Sequence, residues 1–217
     1  MFSSFFQVVL FFFVYSFLGF LAEVAAEVWH KKRVVNRGFL LGPCCPIYGV
    51  AAILITFFLS KYQKDPVTLF IMSMVICGIL EYVTSYLMEK LFKARWWDYS
   101  EKKFNLNGRV SLDALALFAT GSLIIMYFIN PLVFKLFNVI PKTLMVVLSV
   151  LLLLTFVADV IISFKAVIEI RGTINKFERD NTFEITEKVK EVINKKSYLN
   201  KRLVKAFPRL RAIKNKK

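Results

Sequence analysis

The sequence predicts an all-α fold: a polytopic helical membrane protein with about five transmembrane helices and a basic, amphipathic cytoplasmic C-terminal tail. Three observations predict it. Hydrophobic residues make up 57% of the 217-residue chain and the mean hydropathy is +0.58, more apolar than a soluble domain carries. Long apolar runs alternate with short charged segments, and the last fifty or so residues are strongly charged. Lys and Arg then cluster in every second connection, the signature of a chain that crosses a bilayer repeatedly.

The first expected span runs over 4–29. It lacks a basic n-region and a small-residue cleavage site, and its apolar run is too long for a signal peptide, so it is expected to stay in the mature protein. The second span, 43–60, is short against the ~20 residues that a bilayer core needs. The third covers 66–89 and the fourth 112–136, where Asn130-Pro131 is expected to kink or break the helix because proline removes a backbone donor and crowds the preceding turn. The fifth covers 142–167, with Gly172 expected to end its extension. Residues 1–167 thus form a transmembrane domain and 168–217 a cytoplasmic tail. In that tail Asn181 and Glu184 suit a helix start. Phe183, Ile185, Val189, Val192 and Ile193, then Leu199, Leu203, Phe207, Leu210 and Ile213, recur at helical spacing.

Charge sets the orientation. The 30–42 connection holds Lys31, Lys32, Arg33 and Arg37; 90–111 holds Lys90, Lys93, Arg95, Lys102, Lys103 and Arg109; sixteen more basic residues follow from Lys165 onward. The opposite connections hold only Lys61, Lys64, Lys135 and Lys142. Five spans place every strongly basic segment on one side, which predicts a cell-membrane protein with its N-terminus outside and its C-terminus cytoplasmic. Residues 195–217 carry ten Lys/Arg and no acid, which suits membrane lipids of the anionic leaflet as a partner. The positive-inside pattern accounts for most of the +15 net charge, leaving no call for nucleic acid. Cys44, Cys45 and Cys77 lie in or beside apolar segments and read as packing residues rather than a disulfide framework.

A carboxylate at bilayer depth costs about 2.5 kcal/mol or more unless protein, water or a cation compensates it. This chain sets Glu23, Glu27, Glu81, Glu89, Asp113 and Asp159 within apolar segments. Glu81, Ser85 and Glu89 are four residues apart and share one helix face. Glu89 lies beside Lys90 and Lys93, where water reaches it, while Glu81 lies about two turns deeper. Glu27 can pair with Lys31, which leaves Glu23 as the deep acid of the first span. Glu23 and Glu81 are the strongest candidates to share a proton, bind a cation or pair with a loop arginine.

Two loops accompany them. Arg37-Gly38-Phe39-Leu40-Leu41-Gly42-Pro43-Cys44-Cys45-Pro46-Ile47-Tyr48-Gly49 has too many glycines and prolines for a regular helix, and unwound backbone at membrane depth is tolerated where it is buried or lines a cavity. A capped interfacial turn is the plainer reading of the same residues. The second loop, Arg95-Trp96-Trp97-Asp98-Tyr99-Ser100 to Phe104-Asn105-Leu106-Asn107-Gly108-Arg109, has more Asp, Asn and Arg than an aromatic belt needs, and Asn107-Gly108 is a tight-turn pair. Arg37 or Arg109 is a natural counter-ion for Glu23, Glu81 or Asp98, or a clamp for a lipid phosphate. The expected substrate- or ion-binding set is therefore Glu23, Arg37, Tyr48, Glu81, Ser85, Glu89, Asp98, Asn105, Asn107 and Arg109.

Enzyme templates fit poorly. Glu27-Val28-Trp29-His30 has di-iron spacing, but His30 is the sole histidine and such a site needs two copies of the motif. There is neither a P-loop nor a nucleophile elbow, and no cofactor or transition-metal site is expected. An all-carboxylate site for a hard cation stays open.

The run Asn36-Arg37-Gly38-Phe39-Leu40-Leu41-Gly42-Pro43 with Cys45-Pro46-Ile47-Tyr48-Gly49, then Glu81-Tyr82, Leu87 with Glu89-Lys90, Trp97-Asp98-Tyr99-Ser100 and Asn105-Leu106-Asn107-Gly108-Arg109, resembles the CmpB-like family of ABC-transporter type IV permeases. Phe17-Leu18-Gly19-Phe20 and Glu23 fit it too, and the likeness covers roughly residues 10–135. The resemblance implies a transport component. With no ATPase motif and few spans, that reading calls for a homodimer or a separate ATPase subunit. The alternatives are a lipid-binding protein or lipid-modifying enzyme at the cytoplasmic leaflet, and a scaffold whose charges only fix helix packing.

Overall fold

A computed structural model describes residues 2–32, 38–92, 94–177, 202 and 211–212. Among these described residues six helices follow in chain order: α1 (Phe5–Lys31), α2 (Pro46–Leu59), α3 (Pro66–Phe92), α4 (Leu112–Ile124), α5 (Asn130–Val139) and α6 (Lys142–Phe177). A 3₁₀ turn, Ser60–Tyr62, extends α2, and a π-helical turn, Ile125–Ile129, joins α4 to α5. The described residues also hold two short antiparallel ribbons. In one, β1 (Ala94–Arg95) pairs with β4 (Arg211–Ala212); in the other, β2 (Asn105–Leu106) pairs with β3 (Val110–Ser111).

Phe5–Trp29, Pro66–Phe92, Leu112–Val139 and Lys142–Lys165 are long and apolar enough to cross a membrane, while Pro46–Tyr62 is a shorter apolar helix. The shortfall of the second expected span is therefore real. At 14 residues α2 rises about 21 Å, against a hydrocarbon core of about 30 Å. The chain is an all-α polytopic membrane protein, with large apolar side chains such as Leu117, Phe128, Leu132 and Leu154 facing outward.

Local chemistry sets the helix ends. Ser4 caps α1 by accepting from the Gln7 amide, and Pro46 opens α2 at a position where the missing N–H is not needed. Asp65 precedes α3 and accepts from the Val67 and Thr68 amides and the Thr68 hydroxyl. The Thr68 hydroxyl, then its amide, holds the Asp65 carboxyl below its ordinary range. Its support for α3 is thus present above the usual carboxylate range and fades as pH falls toward acid.

Asn130-Pro131 does not break the fourth span, which continues from Leu112 to Val139 through a π-helical turn at Ile125–Ile129. A proline leaves an upstream carbonyl without its donor, and in a π-helical register that carbonyl is five residues back, on Met126. The Asn130 amide already bonds five residues back, to Ile125 O. Gln63 Nε2 donates to Met126 O at 3.2 Å and so supplies the missing bond. The Tyr127 hydroxyl in turn donates to Gln63 O at 2.7 Å. The widened turn absorbs the ring and the rod continues to Val139. Gly172 does not end α6 either; the helix runs on to Phe177.

Two apolar clusters hold the bundle. Leu10, Phe11 and Tyr15 pack with Ala52, Val133, Phe137 and Met145; Ile55, Leu59, Leu69, Cys77 and Met126 form the second. Between them sits a buried polar knot. Tyr15 donates its hydroxyl to Asn130 Oδ1, and Asn130 Nδ2 donates to Thr56 Oγ1 at 2.9 Å. Cys45 and Cys77 are buried and Cys44 is half-buried. The amphipathic stretches expected around Asn181–Ile193 and Leu199–Ile213 lie outside the described residues, apart from Arg202, Arg211 and Ala212.

Candidate functional site

The deep part of the site joins three elements. α1 carries Glu23, and the first turn of α2 carries Tyr48, whose hydroxyl donates to Glu23 Oε1 at 2.6 Å. The Tyr48 ring lies against Gly19: a Cβ there would sit 2.2 Å from Tyr48 Cγ. α3 carries Glu81, which is buried at 5% exposure. The Tyr99 hydroxyl donates to its Oε1 at 3.1 Å, while its buried Oε2 has no hydrogen-bond partner among the described residues. Glu23 and Glu81 are within electrostatic reach of each other, as are Tyr48 and Tyr99. Two carboxyls and two phenols thus converge where the sequence placed its strongest candidates.

Gly19→Ala follows as a specific test of that packing. The added methyl must push the Tyr48 ring off Glu23, and overpacking of this kind costs about 1–3 kcal/mol. A lower melting temperature in detergent is expected, and an unchanged one would refute the close approach.

Above Glu81 the same α3 face continues through Ser85 to Glu89, and the 94–111 segment reads the whole stripe. Arg109 Nη1 donates to Ser85 Oγ at 3.4 Å, and its Nη2 lies 2.9 Å from Glu89 Oε2. Arg95 Nε is 3.1 Å from the same Glu89 oxygen, and Arg95 Nη1 is 3.6 Å from Asp98 Oδ1. The Arg109 guanidinium also sits 5.6 and 5.4 Å from the centroids of Tyr82 and Tyr86, within cation–π range. Two expectations are corrected here. Glu89 is not simply solvated beside Lys90 and Lys93, and Arg109 pairs with Glu89 rather than with Glu23, Glu81 or Asp98. The spacing explains why: Ser85 and Glu89 are one turn apart, so one planar fork spans both, while the next turn down belongs to Tyr99.

Backbone geometry fixes this cap. Asn107 and Gly108 both have left-handed φ, 54° and 67°, within the three-residue connection 107–109 that turns β2 back onto β3. A Cβ on Gly108 would meet Ser100 Oγ at 2.3 Å, so the position needs glycine twice over. The Gly108 amide donates to Asn105 Oδ1 at 2.8 Å, and Asn107 Nδ2 donates to the Tyr82 hydroxyl at 3.0 Å. Trp97 Nε1 donates to Arg109 O at 3.0 Å, and Asp98 accepts from the Ser100 amide and hydroxyl. Asn105, Asn107 and Asp98 therefore hold the loop's shape, and Arg109 is held by it.

The irregular entry to α2 is fastened from α6. Asp159 Oδ1 accepts from the Leu41 amide at 2.8 Å, its Oδ2 from the Gly42 amide at 2.7 Å, and the Ser163 hydroxyl donates to Oδ1 at 3.0 Å. The Cys45 amide donates to Ser16 O on α1 at 3.0 Å. These bonds lead straight into Pro46 and Tyr48, so Asp159 aims the helix that carries the Glu23 partner. Arg37, an expected member, lies outside the described residues. Glu27, expected to pair with Lys31 and leave Glu23 deeper, is the more enclosed of the two acids, at 6% exposure.

Sequence reasoning left Tyr99, Arg95 and Asp159 off the candidate set, although all three stood in segments singled out for their polarity. For Asp159 the available signal was an acid within an apolar run.

A family model described as "Putative ABC-transporter type IV" matches residues 10–164. That range extends past the stretch over which the motifs resemble the family and takes in Asp159 on α6. Comparison with curated proteins and with solved structures gives no match.

Proposed function

Because the chain belongs to the family described as putative ABC-transporter type IV, we propose that it is the membrane-spanning component of a transport system whose cation or proton site is the Glu23–Tyr48–Tyr99–Glu81 cluster. The observation that carries this reading is the buried Glu81 Oε2, unpartnered among the described residues and within electrostatic reach of Glu23. Two carboxyls at membrane depth call for positive charge between them, and such groups mark ion and proton pathways. Among the described residues no three His, Cys, Asp or Glu side chains converge. The donor set of two carboxyls and two phenols therefore suits a proton or a monovalent cation better than a transition metal.

Three basic segments meet at one end of the molecule, since β1 pairs with β4 and Arg202 contacts residues 38–41. With the positive-inside rule this supports a cytoplasmic C-terminus, and a site reached from the cytoplasmic side beneath the 94–111 cap. The sequence has no P-loop, so an ABC-type assembly requires a separate ATPase subunit, with a second copy of this chain as the natural partner within the membrane. The lipid-phosphate clamp is less well supported, because Arg95 and Arg109 are already engaged by Glu89 and Asp98.

The test is ion movement in proteoliposomes holding the chain with any copurifying ATPase. A potassium diffusion potential is imposed and proton entry is read with an internal pH dye. Glu81→Gln keeps size and shape, so flux is expected to fall at least tenfold while the melting temperature holds near that of wild type. Equal flux from wild type and variant, or wild-type flux no greater than that of empty liposomes, would overturn the proposal.

A further inference from the structure

The segment 38–41 presents four consecutive backbone carbonyls to one side chain. Arg202 Nη1 donates to Leu40 O at 2.7 Å and to Leu41 O at 3.3 Å, and its Nη2 donates to Gly38 O at 3.2 Å and to Phe39 O at 3.0 Å. The amides and the carbonyls of this irregular backbone are thus served by two different residues, both distant in sequence. Asp159 takes the amides of Leu41 and Gly42, and Arg202 takes the carbonyls just before them. Unwound backbone near a membrane must have its polar groups satisfied by protein, and a guanidinium with five donors in a planar fork is suited to several acceptors at once. A second contact fixes the same part of the tail. Arg211 and Ala212 form β4 antiparallel to β1, with Ala94 opposite Ala212 and Arg95 opposite Arg211. Arg95 in turn is the arginine that reaches Glu89 and Asp98.

We propose that residues 38–41 form a guanidinium-binding cradle, that its occupant is Arg202 of the chain's own tail, and that this contact latches the entry of α2. Arg202 is a positioning residue. The backbone it grips leads through Cys45, whose amide is held by Ser16 O, into the turn that presents Tyr48 to Glu23. Docking the tail stiffens that entry, and displacing the tail frees it. The inference concerns attachment of the tail and stands whether or not the carboxyl cluster moves an ion.

Two measurements on the full chain in lipid nanodiscs test it. The first is amide hydrogen exchange over 38–45 in a background with native cysteines. Arg202→Ala is expected to speed exchange at Leu41 and Gly42 at least tenfold while the middle of α3 stays at the wild-type rate. Arg202→Lys is expected to rescue little, because a point charge cannot span four carbonyls. The second replaces Cys44, Cys45 and Cys77 with Ser and introduces Ala94→Cys and Ala212→Cys, joined by a short bismaleimide. Efficient linkage within one chain, reduced several-fold by Arg202→Ala, is expected. Unchanged exchange in Arg202→Ala overturns the latch, as does linkage that is absent, between chains, or indifferent to residue 202. If the serine background does not fold, the exchange result alone decides.

Discussion

Arg109→Ala is expected to be among the most destabilising single substitutions in the chain. Arg109 is 7% exposed, and its guanidinium closes on Glu89 while lying over Tyr82 and Tyr86. Removing one partner of a buried ion pair leaves the other charge in low dielectric and typically costs about 3–5 kcal/mol. Here Arg95 still touches Glu89, so the lower half of that range is the better expectation. A drop in melting temperature on the order of 10 °C would follow for a chain of this size. Intrinsic fluorescence is a direct readout, since Trp97 donates to the backbone oxygen of Arg109. Arg109→Lys should recover only part of the loss, because an ammonium cannot reach Ser85 and Glu89 in one plane. Glu89→Gln in the Arg109→Ala background should cost less than it does alone. Strictly additive losses would mean that the two side chains are not coupled.

The stripe on α3 shows what a sequence can and cannot disclose about such a site. Helical spacing puts Glu81, Ser85 and Glu89 on one face, and residues of the 94–111 segment contact all three there. Periodicity names the face but not its partner. The assignment of Arg109 to Glu89, and of Tyr99 to Glu81, depends on how the hairpin at Asn107-Gly108 folds the loop back over α3. The turn itself was legible because few residue pairs tolerate two successive left-handed conformations. The depth of the loop was not. Asp159 and Arg202 illustrate the same limit more sharply, being more than a hundred residues distant from the backbone they hold. Their contacts leave no local pattern. An acid in an apolar run signals that a partner exists without saying which.

The spans divide in a similar way. Apolar length fixes where α1, α3, α4–α5 and α6 lie, since a bilayer allows few alternatives to a continuous helix. Proline at 131 was a sound reason to expect a break, because local rules penalise it in any isolated helix. The break was averted by tertiary contact: Gln63 reaches Met126 O from the turn after α2. Reading Gly172 as a terminator failed for a related reason. Glycine only weakens a helix by about 1 kcal/mol, which the rest of a long helix can absorb.

Asp159→Ala carries the second large expectation, and it joins stability to the proposed site. The carboxylate accepts two backbone amides at 2.7–2.8 Å, and hydrogen bonds to a charged group contribute about 1.5–3 kcal/mol each. Losing both should cost about 3 kcal/mol or more, with the damage confined first to residues 38–45. Amide exchange at Leu41 and Gly42 should rise steeply, and the Glu23–Tyr48 contact should loosen because that backbone leads into α2. Asp159→Asn provides a graded control. Its one carbonyl can accept a single amide while its NH2 faces the other, so an intermediate loss is expected. The decisive comparison pairs this site with the tail. If Asp159 and Arg202 hold the amides and the carbonyls of one backbone segment, removing either frees most of it, and the double variant Asp159→Ala/Arg202→Ala should lose less than the sum of the single losses. Full additivity would instead mean two independent fastenings, each holding its own part of the entry of α2.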